Sequence, residues 1–259
     1  MTCGGRSLAA AGLAKEAAAE RGARMLSEVI RQVESVGVGT GSTVKLMLSK
    51  LDKDTLKILA AKKVYASSLD TLLYLESLGI KALMHVNGVI DVYFDGADEV
   101  TLNTACPMIK GRGAAMTREK ILAYNSRHVV IVVDESKISK RIGEKGKPLP
   151  VEVLPQALHP FLEAMRSLGV KAEPRSNCSC RDGPAVTDNG GIVVDTWPWS
   201  KYMLDEFEGI LARIPGVIGH GSFIGYVNKV IVGFSTGEAA VWKCERKIMN
   251  PSLARLNHP

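Results

Sequence analysis

The chain has 259 residues, 46% hydrophobic and 23% charged, with a formal net charge of +6. That length can bury a large core in one or two domains, and the composition excludes a disordered or low-complexity chain. Aromatic residues are only 5%, Lys and Arg are scattered, and no apolar run reaches the length of a membrane span, so the positive balance fits a small anionic ligand rather than nucleic acid or a membrane.

Good helix formers run from Leu13 to Gln32, with Ala18, Ala23, Met25, Leu26, Val29 and Ile30 near helical spacing. Val33 to Gly39 then turns strand-like. Lys63 to Ala66 predicts a short strand, Leu69 to Leu78 a helix stopped by Gly79, and Val92 to Phe94 a strand that ends in acids. A helix begins near Thr117 and continues to Asn125, followed by the β-branched run Val129 to Val133. Strands of this kind alternating with helices predict an α/β fold, a Rossmann-like parallel sheet covered on both faces, with ligands bound at the strands' carboxyl ends. Beyond Lys147 the texture changes. Pro148, Pro150 and Pro155 bracket a short strand, a helix runs from about Ala157 to Leu168, and strands follow near Ala185 and Ile192 to Asp195. This predicts a smaller inserted α+β domain over 148–221, the catalytic domain being 1–147 plus 222–259, with Lys229 to Phe234 returning to the first sheet.

Three clusters follow predicted strands. Gly37-Val38-Gly39-Thr40-Gly41-Ser42-Thr43 offers flexible backbone, exposed amides and the Ser42 and Thr43 hydroxyls at a helix start, which suits a phosphate. The dinucleotide fingerprint would need glycine where Ser42 stands, and the nucleotide P-loop needs a Lys that is absent. Read alone, the segment is equally a tight turn with Ser42 or Thr43 capping the helix. Asp95-Gly96-Ala97-Asp98-Glu99 sets three carboxylates in five residues, a spacing more readily tolerated beside water, cations or hydroxyl donors than in a core. With no histidine near, sugar hydroxyls fit these acids better than a metal does. Lys110-Gly111-Arg112-Gly113 is a flexible cationic loop opening a helix that carries Glu119, with Arg118 and Lys120 beside it. Each cluster alone could be a solvated turn or helix surface; together at one sheet edge they form a concave site for a polyhydroxylated phosphate ester.

The five cysteines, Cys3, Cys106, Cys178, Cys180 and Cys244, are odd in number and widely spread in a chain too large to need staples, which points to a reducing compartment. Cys178 and Cys180 read as free surface thiols, not zinc ligands. The Ala-rich opening lacks the compact apolar segment of a secretory signal, so a cytoplasmic location is expected.

Seven segments in order, VGVGTGST (36–43), DGADE (95–99), KGRGAAMTREK (110–120), VVDESK (132–137), PLPVEV (148–153), TDNGG (187–191) and IPGVIGHGSF (214–223), resemble the A-type ribose-5-phosphate isomerases over most of the chain. The resemblance implies interconversion of D-ribose 5-phosphate and D-ribulose 5-phosphate in the non-oxidative branch of the pentose phosphate pathway, with no metal or organic cofactor, in a homo-oligomer (dimer or tetramer). By matching motif it implies Glu119 as general base, with Asp95, Asp98 and Lys110 as catalytic or substrate-contacting groups. Thr40, Gly41, Ser42, Thr43, Gly111, Gly113 and Lys137 become substrate-binding, with a looser match at Ser67, Ser68 and Thr71. The chemistry agrees. Aldose–ketose isomerisation moves a proton between adjacent carbons through an enediolate, so one carboxylate can serve both steps. Lys110 or the amides of Gly111 and Gly113 could steady the oxyanion, Asp95 and Asp98 could orient hydroxyls, and Lys110 or Arg118 could lower the pKa of Glu119 against burial.

Arg112 stands where the family loop has glycine, Gly219-His220 replaces the usual acid and amide, and Lys15 is a candidate for an early phosphate-contacting lysine. Two other classes fit parts of the pattern. A methyltransferase would use Gly37, Gly39 and Gly41 but would want an acid after the second strand, where Ser67 and Ser68 stand. A non-catalytic sugar-phosphate sensor would need no Glu119 and would usually carry an output module.

Overall fold

The computed structural model describes residues 3–176 and 182–255, so the expectation for Cys178 and Cys180 lies outside the described residues. Helix α1 (Cys3–Val29) leads into β1 (Ser35–Val38), α2 (Ser42–Ser49), α3 (Lys53–Ala60), β2 (Lys63–Ala66), α4 (Leu69–Ser77), β3 (Ala82–Leu83) and β4 (Ile90–Asp95). Two short strands, β5 (Glu99–Val100) and β6 (Met108–Ile109), precede α5 (Met116–Tyr124) and β7 (Ser126–Asp134). Then come β8 (Leu149–Val153), α6 (Leu158–Ser167), β9 (Lys171–Pro174), β10 (Ile192–Trp197), α7 (Leu204–Leu211) and β11 (Val217–His220). The chain closes with β12 (Ser222–Phe223), β13 (Lys229–Gly233), β14 (Ala239–Lys243) and α8 (Pro251–Arg255).

The main sheet runs β14-β13-β7-β4-β1-β2-β3, parallel except for the β13–β14 hairpin. Its strands lack an apolar/polar alternation because both faces are buried. Val36, Val38, Val64, Ala66, Val92, Phe94, Val130 and Val132 pack in one core with residues of α1 to α4, while Tyr65, Tyr93, Val129, Ile131 and Val133 fill the other. Successive side chains point to opposite faces, which divides each strand between the two cores. On the second face α5 packs through Leu122 and Ala123. The small sheet β12-β6-β5 covers the rest with Val100, Met108 and Phe223. Those two-residue strands carry no periodicity a sequence reading could detect.

A four-stranded antiparallel sheet, β11-β8-β10-β9, packs Leu149, Val151, Val153 and Val194 against Phe161 and Met165 of α6 and Phe207 and Leu211 of α7. The strand expected near Ala185 is reduced to isolated bridges, Ser176 with Pro184 and Val186 with Ile192. The cysteines also depart from expectation. Cys106 and Cys244 are joined by a disulfide with their Cα atoms 5.8 Å apart, although 138 residues separate them in sequence. Spacing gave no sign of this pair, because the β13–β14 hairpin and the loop before β6 meet only in the fold. Among the described residues no helix is long and apolar enough to cross a membrane.

Candidate active site

The carboxyl end of β1 runs against that of β4. The Gly39 amide donates to the Phe94 carbonyl (2.8 Å), and a Cβ on Gly39 would meet the Asp95 side chain, its Cβ at 2.6 Å. Glycine there lets the carboxylate lie against the chain. Gly41, at φ 122, takes the N-cap position of α2 with no side-chain cap bond, so the Ser42 and Thr43 hydroxyls are not spent on capping. The capping alternative for this segment therefore fails. Lys15 of α1 reaches Ser42, donating to its hydroxyl at 2.8 Å, which adds a positive charge to a helix N-terminus already suited to an anion. Behind the turn, Thr40 is 2.7 Å from the Ser67 hydroxyl and 2.8 Å from that of Ser68, and Thr71 donates to the Gly39 carbonyl (3.0 Å). Ser67, Ser68 and Thr71 are thus the support of the turn, and none of them lines the cleft.

Lys110 follows β6 and is only 3% exposed. Its Nζ lies 2.8 Å from Asp95 Oδ2 and 3.1 Å from Glu119 Oε2, and donates to the Gly96 carbonyl at 2.7 Å. Burial alone would lower its pKa, but the Asp95 and Glu119 carboxylates override it and hold the ammonium well above its ordinary value. Glu119, also 3% exposed, is pushed up to about 8. Burial is the main cause and the Asp95 charge adds to it, while Lys110 pulls the other way. Arg118, expected to share in lowering it, points elsewhere, to Asn189 Oδ1 (2.7 Å) and the Asp188 carbonyl (3.0 Å).

The alternative of a solvated acidic turn fails for two of the three acids. Asp95 and Glu99 are wholly buried. Asp95 is tolerated because Lys110, the Gly96 amide (2.7 Å) and the Tyr93 hydroxyl, which donates to Oδ2, all serve its carboxylate. Burial, then the Asp95 charge, raises the Tyr93 pKa well above normal, which keeps it a donor. Tyr93 was missed, although the signal was present: residues two apart on a strand share a face. Asp98 alone of the three acids faces the cleft, accepting from the Arg112 amide (2.9 Å).

The cleft, about 230 Å³, is lined by Thr40, Gly41, Ser42, Thr43, Gly96, Ala97, Asp98, Lys110, Gly111, Arg112, Gly113, Glu119 and Lys137. A polar cleft of this size suits a small anionic ligand. Of the residues matched by motif, Asp95 is not in that lining and lies against Lys110, and Lys15, Ser67, Ser68 and Thr71 are not in it either. Arg175, also missed, fixes the 111–112 loop from the four-stranded sheet. It pairs with both oxygens of Asp195 (2.9 and 2.5 Å) and donates to the carbonyls of Gly111 (2.9 Å) and Arg112 (3.0 Å). His220 is outside the cleft, on β11, with Nδ1 3.2 Å from Lys120 Nζ; burial and then Lys120 push its pKa down to about 3. Among the described residues no group of three or more His, Cys, Asp or Glu is arranged to hold a metal ion.

Comparison with known proteins gives the family. The family model for ribose 5-phosphate isomerase A (phosphoriboisomerase A) matches residues 63–237. Ribose-5-phosphate isomerase A of Methanothermobacter thermautotrophicus is 38% identical over 209 residues, 78% of this chain and 87% of that protein. The Pyrococcus horikoshii protein of the same name is 39% identical over 218 residues, 82% and 90% respectively. The solved ribose 5-phosphate isomerase A of Methanocaldococcus jannaschii superposes with a TM-score of 0.75 at 33% identity, covering 86% of this chain and 97% of that one. A D-ribose-5-phosphate isomerase solved in complex with phospho-erythronic acid gives a TM-score of 0.75 at 31% identity, covering 88% and 97%. Sequence and fold agree across most of the chain, which belongs to the ribose 5-phosphate isomerase A family.

Proposed function

We propose that the chain interconverts D-ribose 5-phosphate and D-ribulose 5-phosphate, with Glu119 as the base that moves the proton through an enediolate. The observation that carries this is the buried set Lys110, Asp95 and Glu119 at the wall of a small polar cleft whose far side is an anion cradle. The phosphate binds at the start of α2 through the Ser42 and Thr43 hydroxyls and Lys15, with Lys137 as a second cation. Asp98 and Thr40 orient sugar hydroxyls. Glu119 takes the proton from C2 of the aldose and returns it to C1, while the hydroxyl proton passes from O2 to O1 across the enediolate, so that C2 becomes the ketone and C1 the hydroxymethyl carbon.

Lys110 has three N–H bonds, one given to the Gly96 carbonyl, and its charge is paired with the Asp95 and Glu119 carboxylates. As Glu119 takes up the proton its charge disappears, and the hold on one of those N–H bonds loosens. That N–H then turns to the oxyanion forming on the substrate, beside the amides of Gly111 and Gly113, so proton transfer and charge stabilisation occur together. Asp95 keeps Lys110 charged and aimed throughout. The reaction transfers neither hydride nor a group, so it calls for no organic cofactor.

The same reading includes a small domain over 148–221 set against 1–147 plus 222–259, a homo-oligomer, and a place in the non-oxidative pentose phosphate pathway in the cytoplasm. The test is to incubate the purified chain with ribose 5-phosphate in chelator and follow ribulose 5-phosphate. Turnover unaffected by chelator is expected. Binding without turnover would favour the sensor, and turnover that chelator abolishes would call for a metal-dependent mechanism.

A further inference from the structure

The motifs PLPVEV and TDNGG have no part in the cleft, yet they meet at one buried point. Glu152 is on β8, flanked by β10 and β11 in the four-stranded sheet. Leu149, Val151 and Val153 point into the core beneath α6 and α7, so by alternation Glu152 points the other way, toward the main sheet. It is wholly buried there. Such a position ordinarily favours an apolar residue, since burying a charge costs several kcal/mol, of the order found for ions taken out of water.

Glu152 has no ion-pair partner among the described residues, and neutral donors hold it. Thr117 of α5 donates to Oε2, Thr187 donates to Oε1 at 2.5 Å, and Asn189 Nδ2 lies 3.2 and 3.3 Å from the two oxygens. Thr187 is in turn fixed by the amides of Asn189 and Gly191, both at 3.1 Å. Two glycines make the approach possible. A Cβ on Gly191 would meet Glu152 Cγ at 2.5 Å and Oε1 at 2.7 Å, and one on Gly219 would strike the Thr117 hydroxyl. The 187–190 turn is also tied to the main-sheet side twice: Arg118 binds Asn189 and the Asp188 carbonyl, and Asp188 Oδ2 accepts from the Leu69 amide (2.8 Å) at the start of α4.

Thr117 is two residues before Glu119 on the same helix. That helix leaves the loop through Ala114 at φ 58 and Ala115, neither of which supplies a side-chain cap, so its first turn is held from outside. We propose that Glu152 is a positioning residue: through Thr117 it fixes the first turn of α5, and thereby the place of Glu119 against Lys110, from the opposite sheet. This rests on the isomerase reading for its effect on catalysis. The clamp itself does not depend on it.

The experiment compares wild type, Glu152→Gln, Thr117→Val and Thr117→Ser in steady-state turnover of ribose 5-phosphate and in amide hydrogen exchange. Gln presents an NH2 to Asn189, a donor facing a donor, and Val removes the hydroxyl, whereas Ser keeps it. Displacements of about 1 Å at a reacting group cost up to about a hundredfold in rate, so kcat is expected to fall roughly 10- to 100-fold in Glu152→Gln and Thr117→Val, with KM within about threefold. Thr117→Ser is expected to retain most of kcat. Exchange is expected to quicken at 116–124 and 187–191 in the two damaged variants while 129–133 stay protected. Three results overturn the proposal: wild-type kcat in both damaged variants, equal loss in Thr117→Ser and Thr117→Val, or exchange quickening evenly along the chain. If wild type fails to turn over ribose 5-phosphate, the isomerase reading fails, and the exchange pattern alone decides whether Glu152 clamps α5.

Discussion

Glu119 and Lys120 are neighbours on α5, yet they enter two different buried charge clusters. On one side Lys110 lies between Asp95 and Glu119 at 2.8 and 3.1 Å, and its ammonium is held well above its ordinary pKa despite burial. On the other, Lys120 is 3.9 Å from Glu208 and 3.2 Å from His220 Nδ1, beneath the rings of Phe223 and Tyr226, and burial pushes it down to about 8. The two lysines shift in opposite directions because the first has two close carboxylates and the second, half-buried, has one distant one. In the first cluster burial, and after it the neighbouring Asp95 charge, raises Glu119 to about 8 against the pull of Lys110. A carboxylate with that pKa is a far better base than one near 4.5, and it is held where the cleft needs it.

The sharpest way to break this contrast is to remove each lysine. Lys110→Met leaves Asp95 and Glu119 buried and uncompensated, and is expected to cost about 3–5 kcal/mol of stability, read by urea denaturation. It should also reduce kcat about a hundredfold or more. The next effect is on the pH profile. Above about pH 7 the substrate phosphate is fully ionised, so kcat/KM should rise with pH as Glu119 loses its proton and level off past about 8. A profile already flat from pH 7 would place the base near its ordinary value.

Stability against pH separates the two clusters by sign. Glu119 is raised in the fold, from 4.5 to about 8, so its contribution is fully present below 4.5 and lost as pH climbs through about 8. Glu119→Gln should flatten that fall. Lys120 is lowered, from 10.5 to about 8, so its contribution is present above 10.5 and lost as pH descends through about 8. Lys120→Met should flatten this rise, measured by urea midpoints between pH 8 and 10.5. The smallest effect is on catalysis by that same variant. Lys120 does not line the cleft, and kcat should stay within about threefold of wild type, typical of a substitution away from the site.

The contrast also marks how far the sequence could be read. The β7 run, α5 and the turn before α2 were visible because β-branched continuity, helix formers and glycines act locally. The grouping of Lys110, Glu119 and the cradle at one sheet edge followed from the rule for parallel sheets. Burial of Asp95 was not legible: DGADE reads as a solvated turn until β6 returns Lys110 beside it, and that strand is two residues long. Arg175, Glu152 and the Cys106–Cys244 pair lie 64, 35 and 138 residues from the groups they meet, Gly111, Thr117 and each other, and no local pattern records such contacts. Lys120 and Glu119 look alike in sequence, two charged residues on a helix, and only the packing on either side of α5 separates the proposed base from its neighbour.

The most direct test of Glu119 as the shuttling base is to run the isomerisation in deuterated water and follow label at the carbon that receives the proton. Wild type is expected to place solvent deuterium at C1 of the ketose to the extent that the proton on Glu119 exchanges before its return. Glu119→Gln is expected to lose at least about a hundredfold in isomerisation and labelling alike while still binding the sugar phosphate. Label entering at the wild-type rate in Glu119→Gln would contradict the account.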